Sequence, residues 1–218
     1  SSRTQLAGVV SPEKPPEVLS ERAREILKTL GHTGPAVDSA SWFNFDGSYA
    51  DYLAEHDQTP GRWERLAKPQ PPVLHFIYRE SPRYLVPTDF MFAGPSDPPL
   101  AVSGMIRIDL DTRGNLCGYD RVPPQKDESK PPWPEPDWGV LFREAALDPA
   151  DFKPVESAWV PFFYVDRRAA WEGSRPEAPD LSIRIEATSY HGELASFGIA
   201  WPWDKPGRME ETPQSLWQ

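Results

Sequence analysis

The most metal-like stretch of the chain is DLDTRGNLCGYD, in which Asp109, Asp111, Gly114 and Asp120 take the first, third, sixth and last places of a calcium-loop template. Acids at those places would supply oxygen ligands and the glycine would allow the sharp turn. Arg113 instead puts a cation where a further oxygen is needed, and the preceding residues alternate like a strand. A hairpin with outward-facing acids is therefore expected, and no metal. His32, His56, His75 and His191 are scattered, without H-x-H or H-E-x-x-H spacing. There is no G-x-S-x-G elbow, and SPEK at Ser11–Lys14 is an isolated match to S-x-x-K with no S-D-N or K-T-G after it. Cys117 falls in a strand-like run and reads as a packed thiol. Phosphate-binding glycine loops are missing, as are the H-R-D and V-A-I-K elements of a kinase. The expectation is a segment that binds rather than one that reacts, with no cofactor.

Aromatic rings are the remaining chemistry. The chain has 9 Trp, 10 Phe and 7 Tyr. Flat rings can stack on the apolar faces of sugars or peptides, but small sheets also recruit them as core. Trp201 and Trp203 in AWPWDKP are candidates for exposure because prolines flank them, and Trp42 is a third. Arg79 and Arg83 bracket a Ser81-Pro82 turn beside Tyr84 and form a candidate anion contact.

These residues must be held by short elements, because the chain contains 27 prolines in 218 residues against a usual ~5%. Val18, Ala23, Ile26, Leu27 and Leu30 recur at helical steps, so a helix is expected over Val18–Leu30, with Gly31 as its C-terminal cap. SASWFNFD reads as an aromatic strand, and short helices capped by Ser48 and Thr59 follow it. Strands are expected at Val73–Arg79 and Arg83–Val86, then a hairpin turning at Arg113–Asn115. PPQKDESKPPWPEPD, residues 123–137, combines charge with proline and reads as an extended linker. After it the order repeats: a helix with Val140, Leu141, Ala145 and Leu147 on one side, an aromatic strand in ESAWVPFFYVD, and a second Gly-turn hairpin.

The two hairpins are close echoes, IRIDLDTRGNL and IRIEATSYHGEL. Ile106, Ile108, Gly114, Leu116 and Tyr119 align with Ile183, Ile185, Gly192, Leu194 and Phe197, with one extra residue in the second turn. The expected fold is α+β: two similar helix-plus-antiparallel-sheet units from a probable internal duplication, packed together because one alone would bury too little. The boundaries are 1–17 for an extended segment, 18–122 and 138–209 for the units, and 210–218 for a tail.

Charge and hydropathy narrow the partners. A net charge of −10 repels phosphate backbones, so nucleic acid is not expected. No apolar run reaches 18 residues, and Leu6–Val10 is too short for a signal-peptide core. The opening SSRTQ, without Met, fits processing or excision from a longer protein.

EKPPEVLSERAREILKTLGHT, SWFNFD…YLAEHD, IYRESPRYLVP, GMIRIDLDTRGNL and WGVLFREAALDPADF together resemble the extracytoplasmic region of bacterial transmembrane serine/threonine protein kinases of the acidobacterial kind. The likeness runs from about Glu13 to Met209. It implies a non-catalytic sensory domain on the periplasmic face of an inner membrane, anchored through an upstream segment, with an ATP-dependent kinase elsewhere in the parent protein. Its ligand would be a small molecule, a glycan or a protein, and a homodimer is compatible. The alternative is a secreted carbohydrate- or cell-wall-binding module using exposed tryptophans.

Overall fold

The protein is described from a computed structural model covering residues 11–88 and 91–209. The Leu6–Val10 run, the start of the 1–17 segment and the 210–218 tail lie outside the described residues. Leu19, Ala23, Ile26 and Leu27 share one side of helix α1, Pro16–Thr29, and are almost wholly buried. Val18 points the other way and is 44% exposed, because it falls one step off that stripe. Gly31 ends the helix at φ +94°, with its N–H on the Lys28 carbonyl and that of His32 on Leu27. That paired geometry satisfies two otherwise open carbonyls.

Eight antiparallel strands follow: β1 (Asp38–Phe45), β2 (Leu74–Ser81), β3 (Ile106–Asp111), β4 (Leu116–Arg121), β5 (Phe152–Val155), β6 (Arg167–Arg175), β7 (Ala178–Tyr190) and β8 (Glu193–Ala200). They form one sheet in the order β1-β2-β3-β4-β8-β7-β6-β5. Each half is a helix followed by a four-strand meander, with helix α3, Gly139–Glu144, preceding β5. The class is α+β. Ile108, Leu110, Leu116, Tyr119, Ile185, Ala187 and Phe197 join the α1 and α3 side chains in a single core across both halves.

The last strand of each half forms the seam, with rungs Gly118↔Gly198, Tyr119↔Phe197 and Asp120↔Ser196. Gly192, Leu194 and Phe197 each stand 78 positions after Gly114, Leu116 and Tyr119. With that offset the central rung pairs a position with its own counterpart, and the outer two rungs exchange. Such self-complementary pairing is the hallmark of a two-fold contact. The third strands differ from the sequence alignment. Rungs Ile106↔Arg121 and Ile108↔Tyr119 correspond to Ile185↔Ile199 and Ala187↔Phe197, so Ile106 matches Ile185 rather than Ile183. The second turn is the shorter one, His191-Gly192 against residues 112–115. A two-residue slip preserves the buried face, which is why hydrophobic pattern alone cannot see it.

Other expectations are corrected. Arg83–Val86 is not a strand: prolines flank it, and Leu85 is drawn into a small cluster with Met105 and Val122. ESAWVPFFYVD is not a strand either. Pro161 interrupts it, Val160, Phe162 and Tyr164 are exposed, and β5 and β6 lie on either side of it. Helix α2, Ser48–His56, has Gly47 rather than Ser48 at its cap, and Arg62–Ala67 is a 3-10 turn capped by Gly61, not Thr59. The excursion carrying these two elements packs Tyr49 and Leu53 against Ala178 and Leu181 of β7, with Arg65 paired to Asp180 at 2.6 Å. Among the described residues no helix is long and apolar enough to cross a membrane.

Candidate functional site: a groove over the seam

Strand alternation sends Ile106, Ile108 and Leu110 toward the helices, so Arg107 and Asp109 face away from them. A bulge opposite Asp109/Leu110 resets β4, leaving Gly118 and Asp120 on that open face. On β7 and β8 it carries Thr188, Ser196 and Gly198. At the seam two glycines face each other, and a Cβ on Gly198 would meet nothing within 4 Å. The floor is therefore bare where the halves join.

One wall comes from each half. Arg79 of β2 is fully buried and holds the first-half loop by donating to the carbonyls of Gly94 (2.9 Å) and Pro98, while its Nε has no partner among the described residues. Burial, and then the like charge of Arg107, pull its pKa below the ordinary arginine value. From the second half, residues 156–166 leave the edge of the sheet and cross its open face. Glu186 pins the start of this crossing by accepting from Ser157 Oγ (2.6 Å) and Ala158 N (3.0 Å). Phe163 anchors it further on against the Leu85 cluster. Between the walls is a cavity of about 360 Å³ with Leu100, Phe162, Phe163 and Val165 around Arg107, Asp120 and Ser196.

Two more cavities, of about 400 and 270 Å³, adjoin it through shared lining residues, and Asp120 lines all three. The smaller reaches Asp46, His75, Trp201, Trp203 and Asp204. The Asp120 carboxylate makes no hydrogen bond or ion pair among the described residues. It is open to solvent at the bottom of a concave surface, yet crowded by protein. That crowding and the neighbouring Asp109 carboxylate push its pKa up to about 7, with Arg107 opposing. Asp204 is raised too, by burial and by Asp46.

The calcium-template acids go separate ways. Asp109 takes two hydrogen bonds of 2.8 Å from Arg107. Asp111 is not outward-facing: it is 2% exposed, because its carboxylate closes the turn by accepting from the N–H of Arg113 and Asn115 and from Gln70. Among the described residues no three His, Cys, Asp or Glu could hold a metal ion. Burial pushes the Cys117 thiol up, keeping it protonated.

Of the sequence candidates, Trp201 and Trp203 do meet, stacked 5.5 Å apart and nearly parallel at the far end of the groove. Trp203 also packs on Tyr49 and Tyr52. Arg79 lines the groove, but as a buried brace for its wall. Arg83 and the 73% exposed Tyr84 stand outside the residues that line it, and so does half-buried Trp42 on β1. Asp120, Phe162 and Phe163 were not selected from sequence as ligand contacts. Pro161 inside an aromatic run was the available signal, since proline there argues against a strand and for displayed rings. No protein-family model, no curated protein and no solved structure matches the chain.

Proposed function

We propose that this chain is a ligand-binding sensory domain whose ligand lies in the groove over the seam. One observation carries the reading: the walls come from different halves and the floor is their junction, so an occupant touches both halves at once. A ligand can bias a conformational equilibrium only by binding one arrangement better than another, and a site built from two halves has that property. The resemblance to extracytoplasmic regions of bacterial serine/threonine kinases supplies the context. In it, the domain sits outside the inner membrane as part of a membrane-anchored protein, and occupancy biases the kinase. We read the halves as duplicated copies of one unit, a reading supported by the self-complementary seam.

The test is a thermal-shift screen of metabolites and cell-wall fragments on the wild-type chain, on Phe162→Ala, which removes a wall of the first cavity, and on Gly198→Leu, which fills open space in the other two. A ligand present at a hundred times its Kd should add about 2.7 kcal/mol of stability to the wild type, and one of the two variants should cancel the shift. A shift that survives both variants moves the site elsewhere. The kinase context is checked in the gene upstream of Ser1, where kinase motifs followed by a hydrophobic helix are expected and a plain secretion signal would overturn it.

The stacked Trp201–Trp203 pair favours a second reading, glycan binding at the far end of the groove. Glycans would then quench tryptophan fluorescence in the wild type and not in Trp201→Ala.

A further inference from the structure

The groove's charges are not equally available. Arg107 is engaged by Asp109, Arg79 by two backbone carbonyls, and Arg121 by Glu193. Arg184 and Glu186 neutralise one another at 2.7 Å, and Lys205 at the far end is also engaged. Among the described residues Asp120 is the one carboxylate that lines the first cavity, and it lines the other two as well. Asp204, which lines those two, accepts the backbone N–H of Trp201. The carbonyls that hold Arg79 do not cancel its charge, but Arg79 and Arg175 are buried in the walls, so the charge that an occupant of the first cavity meets at the open floor is that of ionised Asp120. The chain's net charge of −10 sets a field of the same sign around it, which concentrates cations and repels anions.

The larger part of the site is apolar. Leu100, Phe162, Phe163, Val165 and Ala195 line the first cavity, and its volume of about 360 Å³ falls in the range of small-molecule sites. Phe162 is 74% exposed, so its ring costs the apo protein an unburied apolar surface that an occupant would cover. Thr188 and Ser196, joined at 2.6 Å, add hydroxyls beside Asp120.

We infer that the groove takes a small organic amine, with its ammonium group on the Asp120 carboxylate and its aromatic or branched apolar body between the Pro95–Leu100 loop and the Phe162–Phe163 wall. This deepens the groove reading given above and rests on it. An ammonium supplies up to three donors to a carboxylate that accepts none among the described residues, and adds a counter-charge to that of Arg107, while the apolar body supplies most of the buried area.

The experiment is titration calorimetry of the full chain with phenethylamine and tryptamine, and with phenylacetate and 2-phenylethanol as matched acid and neutral probes. Binding of an amine, weakened at least tenfold in Asp120→Asn and in Phe162→Ala, with the acid weaker by a similar factor, is the expected result. Asp120→Asn keeps shape and removes charge, and its circular dichroism and melting curve confirm folding. Amine binding that Asp120→Asn leaves unchanged overturns the inference, as does acid or neutral binding as tight as the amine's. Absence of amine binding also overturns it. If acid or neutral probes bind and Phe162→Ala or Gly198→Leu abolishes that binding, the groove reading stands and only the amine falls. If no compound of any charge binds in the groove, the groove reading falls as well.

Discussion

Strand β1 stays beside β2 for eight residues, whereas its counterpart β5 leaves the sheet after four. The first half spends its long excursion, residues 46–73, on α2 and a 3-10 turn that grip the beginning of β7. The second half sends residues 156–166 across the open face instead, as a wall. Near-equivalent frames thus carry unequal decorations, and the groove belongs to the decorations. The shared positions give the seam its symmetry; the unshared ones give the site its chemistry.

The comparison is sharpened first at the seam. Tyr119 and Phe197 are 1% and 3% exposed and face each other. Tyr119→Ala and Phe197→Ala should each cost about 3–5 kcal/mol in urea unfolding. Tyr119→Ala should be the worse by about 1 kcal/mol, since its hydroxyl is bonded to His32 and to the Leu194 carbonyl. A cost below about 1 kcal/mol for either would break the picture of one continuous core. Next is the buried brace. Arg79→Met should lose about 1.5–3 kcal/mol and make the 91–100 loop open to limited proteolysis.

The matched turns come third. Gly114 and Gly192 have φ of +88° and +84°. Gly114→Ala should cost about 1–2 kcal/mol from that backbone alone. Gly192→Ala should cost more, because its new methyl would sit 2.6 Å from the Pro134 carbonyl, while at Gly114 its tightest contact is the Arg22 side chain at 3.0 Å. Equal costs, read from melting curves, would mean that the linker does not rest on the second turn.

Asp120 gives a pH signature. Its folded pKa of about 7 exceeds the 3.8 of a free aspartate, so between those values the folded protein holds more protons than the unfolded one. Stability from this group is present below about pH 4 and is lost as pH rises through 7. Asp120→Asn should therefore raise Tm at pH 8 and leave it nearly unchanged at pH 4. An unchanged difference across that range would show an ordinary carboxyl. Smallest of all, Arg83→Ala should alter stability by no more than about 0.5 kcal/mol, and ligand binding not at all.

The helix at Val18 and the hairpin turning at Arg113–Asn115 were legible because each rests on local rules: helical spacing, a glycine at positive φ, strand alternation. Strands β5 and β6 were not, because the aromatic run between them carries the stronger strand pattern. What escaped was long-range. The slip between Ile183 and Ile185 is invisible to any pattern of period two. The wall at Phe162 is apolar, and hydrophobicity by itself reads as burial; only its tertiary route across the sheet leaves the ring in solvent. Asp120 was weighed as a metal ligand because sequence proximity put it with Asp109 and Asp111. The three-dimensional arrangement assigns Asp109 to an arginine, Asp111 to a turn, and leaves Asp120 open.

The proline-rich connection has a consequence for assembly. Residues 127–135 are clasped to the β7–β8 turn and the start of β6: Trp133 stacks on His191 at 3.8 Å, Ser129 bonds the same ring, and Glu135 pairs with Arg167. Like strands in a self-complementary pairing would be equally satisfied by the corresponding strand of another molecule, so the fold carries an inbuilt route to exchange. A clasped tether keeps each half's own partner at a high effective concentration, and intruders at cellular abundance compete against that local excess.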